Sequence, residues 1–216
     1  DQAVGTVLDK LDELQLAERT LVIFTSDNGG LSTSEGWPTS NLPLRGGKGW
    51  MYEGGIRVPL IVRQPGTVPA GTVDATPVCG IDLFPTVAEL SGVKLAADSV
   101  VDGQSLVGSW TGGTRPAERP LFWHYPHYGN QGGAPSAAVR LGKWKLIEWH
   151  EDHRLELYDL EADIGETRDL AATRPEIAAS LAEHLHAWQQ EVGARFPTEN
   201  PSFDPTAPSG RAARRR

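Results

Sequence analysis

The run Leu21-Val22-Ile23-Phe24 ends on Thr25-Ser26-Asp27-Asn28-Gly29-Gly30, and no other stretch constrains the fold as tightly. Consecutive apolar residues with β-branched Val22 and Ile23 among them read as a strand of parallel type, covered on both faces. Such a strand delivers the Asp27 carboxylate and the Asn28 carboxamide to the carboxyl edge of a sheet, where open α/β folds bind ligands. Oxygen donors of this kind suit Ca²⁺ or Mg²⁺, whereas zinc favours His and Cys. Alone, Asp-Asn-Gly is also an ordinary turn. The glycine-rich residues beyond Gly30 argue for a site.

The stretch from Gly29 to Gly55 is rich in Gly, Ser, Thr and Pro and is too long for an idle connection. It carries Leu44-Arg45-Gly46-Gly47-Lys48-Gly49 and then Tyr52-Glu53-Gly54-Gly55. A lysine among glycines can meet an anion closely, because no side chains stand in the way. The competing reading is a glycine-rich turn with a solvated lysine. A nucleotide P-loop is excluded, since Gly49 and Trp50 come after the lysine where Ser or Thr is required. With a formal net charge of −8, the chain is not a general nucleic-acid binder, and affinity for an anion has to come from local cations. Lys48, Arg45 and Arg57 are those cations, and Glu53 is the expected ion-pair partner of the two arginines.

Two lobes are predicted along the 216 residues. Residues 1–18 place Val4, Val7, Leu8, Leu11 and Leu14 on one helical stripe. Thr20 to Ser26 and Val58 to Val62 read as core strands, and Asp82 to Ser91 as a helix that Gly92 closes, with Pro85 in its first turn. The Gly-, Pro-, Asp- and Ser-rich segment from Val93 to Pro120 separates the lobes. Beyond it, Leu121 to His124, Ala137 to Leu141, Trp144 to Glu148 and Leu155 to Leu160 read as strands, with a hairpin at Gly142-Lys143. A helix from Pro175 to Val192 presents Ile177, Leu181, Leu185 and Trp188 on one face. An antiparallel sheet with a helix packed on it is the expectation. Boundaries fall at 1–110, 111–196 and a disordered, Arg-ended tail from 197 to 216. The chain lacks an initiator methionine, begins inside a helical pattern and supplies few partner strands, so the reading is the carboxyl-terminal part of a longer protein.

Other residues offer less. Cys79, the single cysteine, forms no internal disulfide and has no cation beside it to stabilise a thiolate, so it reads as a small buried residue. His124 and His127 cannot form a zinc pair on a helix across Pro126; with Trp123 they read either as a rim contacting a sugar or aryl group or as a packed aromatic corner. His150 to His153 reads as a polar turn, and His184 and His186 as residues of a solvated helix. No Gly-x-Ser-x-Gly is present, so the nucleophile is expected outside this chain. No apolar run is long enough to cross a bilayer as a helix.

Five segments in order, Val22 to Gly30, Leu44 to Gly49, Tyr52 to Pro59, Asp82-Leu83-Phe84-Pro85-Thr86, and Leu157-Tyr158-Asp159-Leu160 with Gly165-Glu166, resemble the type I sulfatase family of the alkaline phosphatase superfamily. The resemblance implies an α/β chain: part of an alkaline-phosphatase-like α/β/α sandwich, followed by a small α+β lobe. It implies hydrolysis of sulfate esters through a formylglycine made in a Cys/Ser-x-Pro-x-Arg motif, which this sequence lacks and which is expected upstream. The positions of Asp27 and Asn28 then bind Ca²⁺, with Mg²⁺ as the substitute, and Lys48 contacts the sulfate near the bridging ester oxygen. His127 and Trp123 are the further candidates for substrate contact. The implied partners are a sulfated small molecule or glycan and the missing amino-terminal part of the same protein, with no nucleic acid and no membrane. The implied location is periplasmic or extracellular. A phosphodiesterase or phosphonate hydrolase of the same superfamily, or a non-catalytic anion-binding paralogue, is the alternative.

Overall fold

A computed structural model of the chain describes residues 1–33 and 37–202; the expected arginine-ended tail lies, from residue 203 on, outside the described residues. The order is α1 (Gln2–Glu13), β1 (Val22–Thr25), α2 (Glu53–Ile56), β2 (Leu60–Arg63), α3 (Leu83–Leu90), α4 (Val107–Trp110), β3 (Leu121–Tyr125), β4 (Ser136–Leu141), β5 (Trp144–Trp149), β6 (Leu155–Asp159) and α5 (Pro175–Glu191).

Among the described residues, strand β1 has no parallel neighbour. It pairs antiparallel with β2, Phe24 opposite Ile61 and Val22 opposite Arg63, in a two-stranded sheet. The apolar run fixed the strand but not its partner's direction, because a strand covered on two faces gives the same sequence pattern in either sense. Nor is β1 deeply buried here: Phe24 is 45% and Ile61 60% exposed. Helix α1 forms over the apolar stripe, yet no residue of it is buried, and Arg63 ties it to the sheet through Asp12 at 3.2 Å.

Helix α3 comes after a 3-10 turn over Gly80–Asp82, and Gly92 closes it in the left-handed region. Its first turn anchors the inter-lobe segment. The buried Asp82 carboxylate accepts from the amides of Cys79 and Gln104 and pairs with Arg119, while Thr86 Oγ1 accepts from the amide of Leu106. Cys79 is only half-buried, contrary to expectation.

The second lobe is an antiparallel meander, β3-β4-β5-β6, with the predicted hairpin turn at Gly142-Lys143. Alternate residues divide its two faces. Val139, Leu146 and Leu157 point to one side and pack on Ala178, Leu181 and Leu185 of α5. Ala138, Ile147, Trp149 and Tyr158 point to the other and receive Met51 and Tyr52, which arrive from the first lobe just before α2. Both faces are covered, which is why β4 reads as a run of small and apolar residues rather than an alternation.

The docking of that loop is electrostatic as well as apolar. Lys145, fully buried on β5, places Nζ 3.0 Å from Glu53 Oε1 and 2.9 Å from Glu166 Oε1, an ionic contact that lacks hydrogen-bond geometry in the second case. Glu53 donates its amide to Glu166 Oε2 at 2.6 Å. Arg140 and Arg57 lie 3.7 and 3.6 Å from Glu53 Oε2. Glu166 holds a left-handed backbone at φ 51° to reach this position. Its burial pushes its carboxyl up, against the lowering charge of Lys145. Removing the ammonium leaves two buried carboxylates facing each other. Lys145→Met is therefore expected to destabilise the protein by about 3–5 kcal/mol in urea unfolding; a change below about 1 kcal/mol would show that water or rearrangement compensates.

Candidate functional site

The tip of β1 and the lysine loop, separated by the long excursion, meet through their backbones. Gly29 donates to the Gly55 carbonyl at 2.9 Å, and Lys48 donates to the Gly30 carbonyl at 3.1 Å. Asn41 locks the joint: its Oδ1 accepts from the Gly30 amide, and its Nδ2 donates to the Gly30 and Gly46 carbonyls. The structure thus brings together two motifs that stand well apart in the sequence. Asp27 and Lys48 are exposed at this joint, and Asn28 is half-buried.

The glycines serve a purpose the sequence reading did not assign. A Cβ on Gly29 would sit 1.7 Å from the Gly54 carbonyl oxygen, and one on Gly55 2.0 Å from that of Trp50. Their bareness permits backbone to lie on backbone. Gly49, at φ 88°, turns the chain after Lys48 so that Trp50 enters the second lobe's aromatic cluster.

Arg45 does not pair with Glu53. Its Nη1 donates to Tyr158 Oη at 3.1 Å and to the Glu166 carbonyl at 2.8 Å, and its guanidinium lies 3.8 Å from the centre of the Tyr52 ring. Tyr52 and Tyr158 both donate to Glu156 Oε2, whose other oxygen takes Arg154. Burial, then these bonds to Glu156, push both phenols above their ordinary range. Arg57 does pair with Glu53, as expected. Sequence spacing gave no sign of the Glu156 and Glu166 partners, which lie over a hundred residues from the loop they hold.

The loop between β3 and β4 closes on the lysine loop from the other lobe. The Gln131 carbonyl accepts from Trp50 Nε1 at 3.2 Å and from Thr33 Oγ1 at 2.8 Å. Trp123 is half-buried beside Trp50 and Tyr125 in the second core cluster, the packed-corner reading. His127 is exposed and meets the Tyr125 ring edge-on.

Four of the five remaining histidines, His124, His150, His153 and His186, form a separate group on the α5 side of the sheet, while His184 bonds the Ser180 carbonyl of its own helix. Glu148 accepts from His153 at 3.1 Å and His186 at 2.7 Å, so His186 is not simply solvated. Burial works to raise the Glu148 carboxyl, but the bonds from both imidazoles outweigh it and hold it below the usual range. His150, beyond its place in a polar turn, forms a three-ring cluster with His124 and Phe196, with neither ring nitrogen hydrogen-bonded. Burial and the neighbouring His124 hold it below the ordinary imidazole range.

Asp27 and Asn28 are hard oxygen donors of the kind Ca²⁺ or Mg²⁺ prefers, but Ca²⁺ takes roughly six to eight oxygens. Among the described residues, no group of three or more His, Cys, Asp or Glu could hold a metal ion. These two side chains can contribute to such a site and cannot complete it.

A family model described as Sulfatase matches residues 1–93. A sulfatase of Formosa agariphila is 38% identical over 211 residues, spanning 87% of this chain and 37% of the relative. The steryl-sulfatase of Mus musculus is 45% identical over 130 residues, 58% of this chain and 21% of that protein. The crystal structure of Ps i-CgsB in complex with k-i-k-neocarrahexaose matches with a TM-score of 0.76 at 28% identity, over 94% of this chain and 42% of the other. The chain thus spans well under half the length of each of these three proteins.

This geometry has two measurable outcomes. Asn41→Ala removes the three side-chain bonds that brace the two backbone bonds of the joint, so the amides of Gly30 and Lys48 are expected to exchange with solvent at least about tenfold faster, while β4 and β5 keep their protection; unchanged exchange at Gly30 would mean the joint closes without the carboxamide. His150 takes up a proton less readily in the folded protein than in the unfolded chain. Its contribution is full above about pH 6.5 and is lost as the pH falls through the lower folded value. Thermal melts between pH 7.5 and 5 should show a falling Tm that His150→Phe flattens; parallel curves would assign the slope to other groups.

Proposed function

Because this chain belongs to the sulfatase family and shares the alkaline-phosphatase-like fold of its solved neighbours, we propose that it is the carboxyl-terminal part of a hydrolase of sulfate esters. The observation that carries the reading is the backbone joint that seats Asp27 and Asn28 next to the Lys48 loop. An oxygen-donor pair and an ammonium on adjoining backbones suit a divalent cation and a sulfate held together.

In this reading Asp27 and Asn28 supply two ligands to Ca²⁺, with Mg²⁺ as the substitute, and upstream carboxylates supply the rest. When bound there, such an ion would supply Lewis-acid polarisation of a sulfate oxygen. Lys48 holds the sulfate and offsets negative charge on the departing ester oxygen, a contact whose loss commonly costs about 10² to 10³ in rate. Water is consumed, and sulfate and an alcohol are released. The nucleophile, a formylglycine, belongs to the upstream part, which also covers the apolar faces of α1, β1 and β2. His127, exposed at the edge of the second lobe, faces substrate from the rim, and Trp123, packed on the second core cluster, is the further candidate for substrate contact. The alcohol is a carbohydrate or aryl group. Export to the periplasm or beyond belongs to the same reading. Among the described residues no helix is long and apolar enough to cross a membrane.

In the full-length protein, Asp27→Ala is expected to abolish metal-dependent sulfate ester hydrolysis, and retained turnover at full metal occupancy would defeat the assignment. Lys48→Ala should lower kcat by about 10² to 10³ with little change in Tm. Equal losses of activity and stability would mark the lysine as a structural residue only.

A further inference from the structure

Asn28 and Gly29 form the one Asn-Gly pair of the chain, whose other asparagines precede Leu42, Gln131 and Pro201. An asparagine before glycine is chemically labile, because glycine lacks the side chain that would hinder its backbone nitrogen from reaching the carboxamide carbon. Replacing the glycine would remove that lability, but packing forbids it here. Gly29 is buried, and a Cβ on it would sit 1.7 Å from the Gly54 carbonyl oxygen. The backbone contact that makes the joint therefore imposes the labile pair.

The peptide unit between the two residues is held on both sides. Its N–H, on Gly29, donates to the Gly55 carbonyl at 2.9 Å, and its carbonyl, on Asn28, accepts from Ser26 Oγ at 2.8 Å. A planar unit bonded in this way cannot turn without giving up one of the two bonds. Asn41 braces the next residue through both the amide and the carbonyl of Gly30. Asn28 itself is only half-buried, so solvent has access to it.

We propose that Asn28 is a modification site, deamidated through a cyclic imide, and that the closed joint holds the reaction off. Hydroxide takes the Gly29 amide proton, and the nitrogen bonds to the Asn28 side-chain carbon. The carboxamide C–N bond breaks, and its nitrogen takes a proton from water and leaves as ammonia, which returns the hydroxide. Water then opens the imide at either carbonyl to give aspartate or isoaspartate, with no change of oxidation state. The imide nitrogen carries no hydrogen, so the ring cannot form while Gly29 donates to Gly55. Reaction passes only through the opened joint, and its rate follows the opened fraction. Aspartate puts a second negative charge beside Asp27. Isoaspartate adds one carbon to the main chain where the contact of Gly29 with Gly54 leaves no slack. The site is thus consumed at a rate that the joint sets, whether or not it hydrolyses sulfate esters.

The test incubates the full-length protein at mildly alkaline pH, folded and in urea, with a chelator present so that no bound cation contributes. Mass spectrometry follows the tryptic peptide Thr20–Arg45, and fragmentation locates the change within it. The folded wild type should deamidate at Asn28 at least about tenfold more slowly than the unfolded chain, and by the same factor that protects the Gly29 amide from exchange. Ser26→Ala, which frees the Asn28 carbonyl, and Asn41→Ala should each speed both processes at least about threefold below their Tm. The proposal falls if folded and unfolded wild type react equally fast, or if deamidation and Gly29 exchange are slowed by factors that differ more than about tenfold. It falls equally if both variants fold and neither changes the rate, or if Asn41 rather than Asn28 is the residue converted. Should neither variant fold, the wild-type comparison of deamidation with Gly29 exchange decides alone.

Discussion

The placement of Lys145 between Glu53 and Glu166 is the constraint on which the rest of the arrangement depends. A buried ammonium requires carboxylates, and the carboxylates come from two segments that are remote in sequence. Satisfying it draws the Tyr52-Glu53-Gly54-Gly55 turn against the sheet. Met51 and Tyr52 then become core residues of a lobe to which they do not belong in sequence. The gain lies in specificity more than in stability, because desolvating the charges costs about as much as their attraction returns. Among the ways a glycine-rich loop could lie on the sheet, this one satisfies the charges.

From there the order propagates to the joint. Gly55 is held at the start of the lobe contact, and its carbonyl takes the Gly29 amide. Gly47 lies against Gly30 and Ser32, and the Lys48 amide reaches the Gly30 carbonyl. The loop carrying the lysine is fixed on one side by the strand tip and on the other by Trp50, whose indole nitrogen bonds the β3–β4 loop. Precision at Asp27 and Lys48 is thus produced by contacts that neither residue makes. Sites on loops need such support if they are to hold a ligand in one geometry.

Much of this is legible from the amino acids. Two strand-like runs on either side of Gly142-Lys143 give the hairpin, and the 3.6 period of Ile177, Leu181, Leu185 and Trp188 gives α5. The Gly- and Pro-rich inter-lobe segment announces itself by composition. What stays hidden is long-range. The direction of the β1 partner, the choice of Tyr158 over Glu53 by Arg45, and the pairing of Glu148 with His186 all depend on elements that spacing does not relate. Lys145 reads as one residue of a strand, since a buried lysine looks like a solvated one until its partners are located. The glycines are conspicuous in the sequence, but one of their roles is not legible there: at Gly29, Gly54 and Gly55 they permit main chain to touch main chain.

Glu166 adopts φ 51°, a conformation comfortable for glycine or asparagine, yet its carboxylate must meet both Lys145 and the Glu53 amide. Relaxing the backbone by changing the residue discards the anion, and keeping the anion retains the conformational strain. Each route of sequence drift at this position is therefore closed by the opposite requirement.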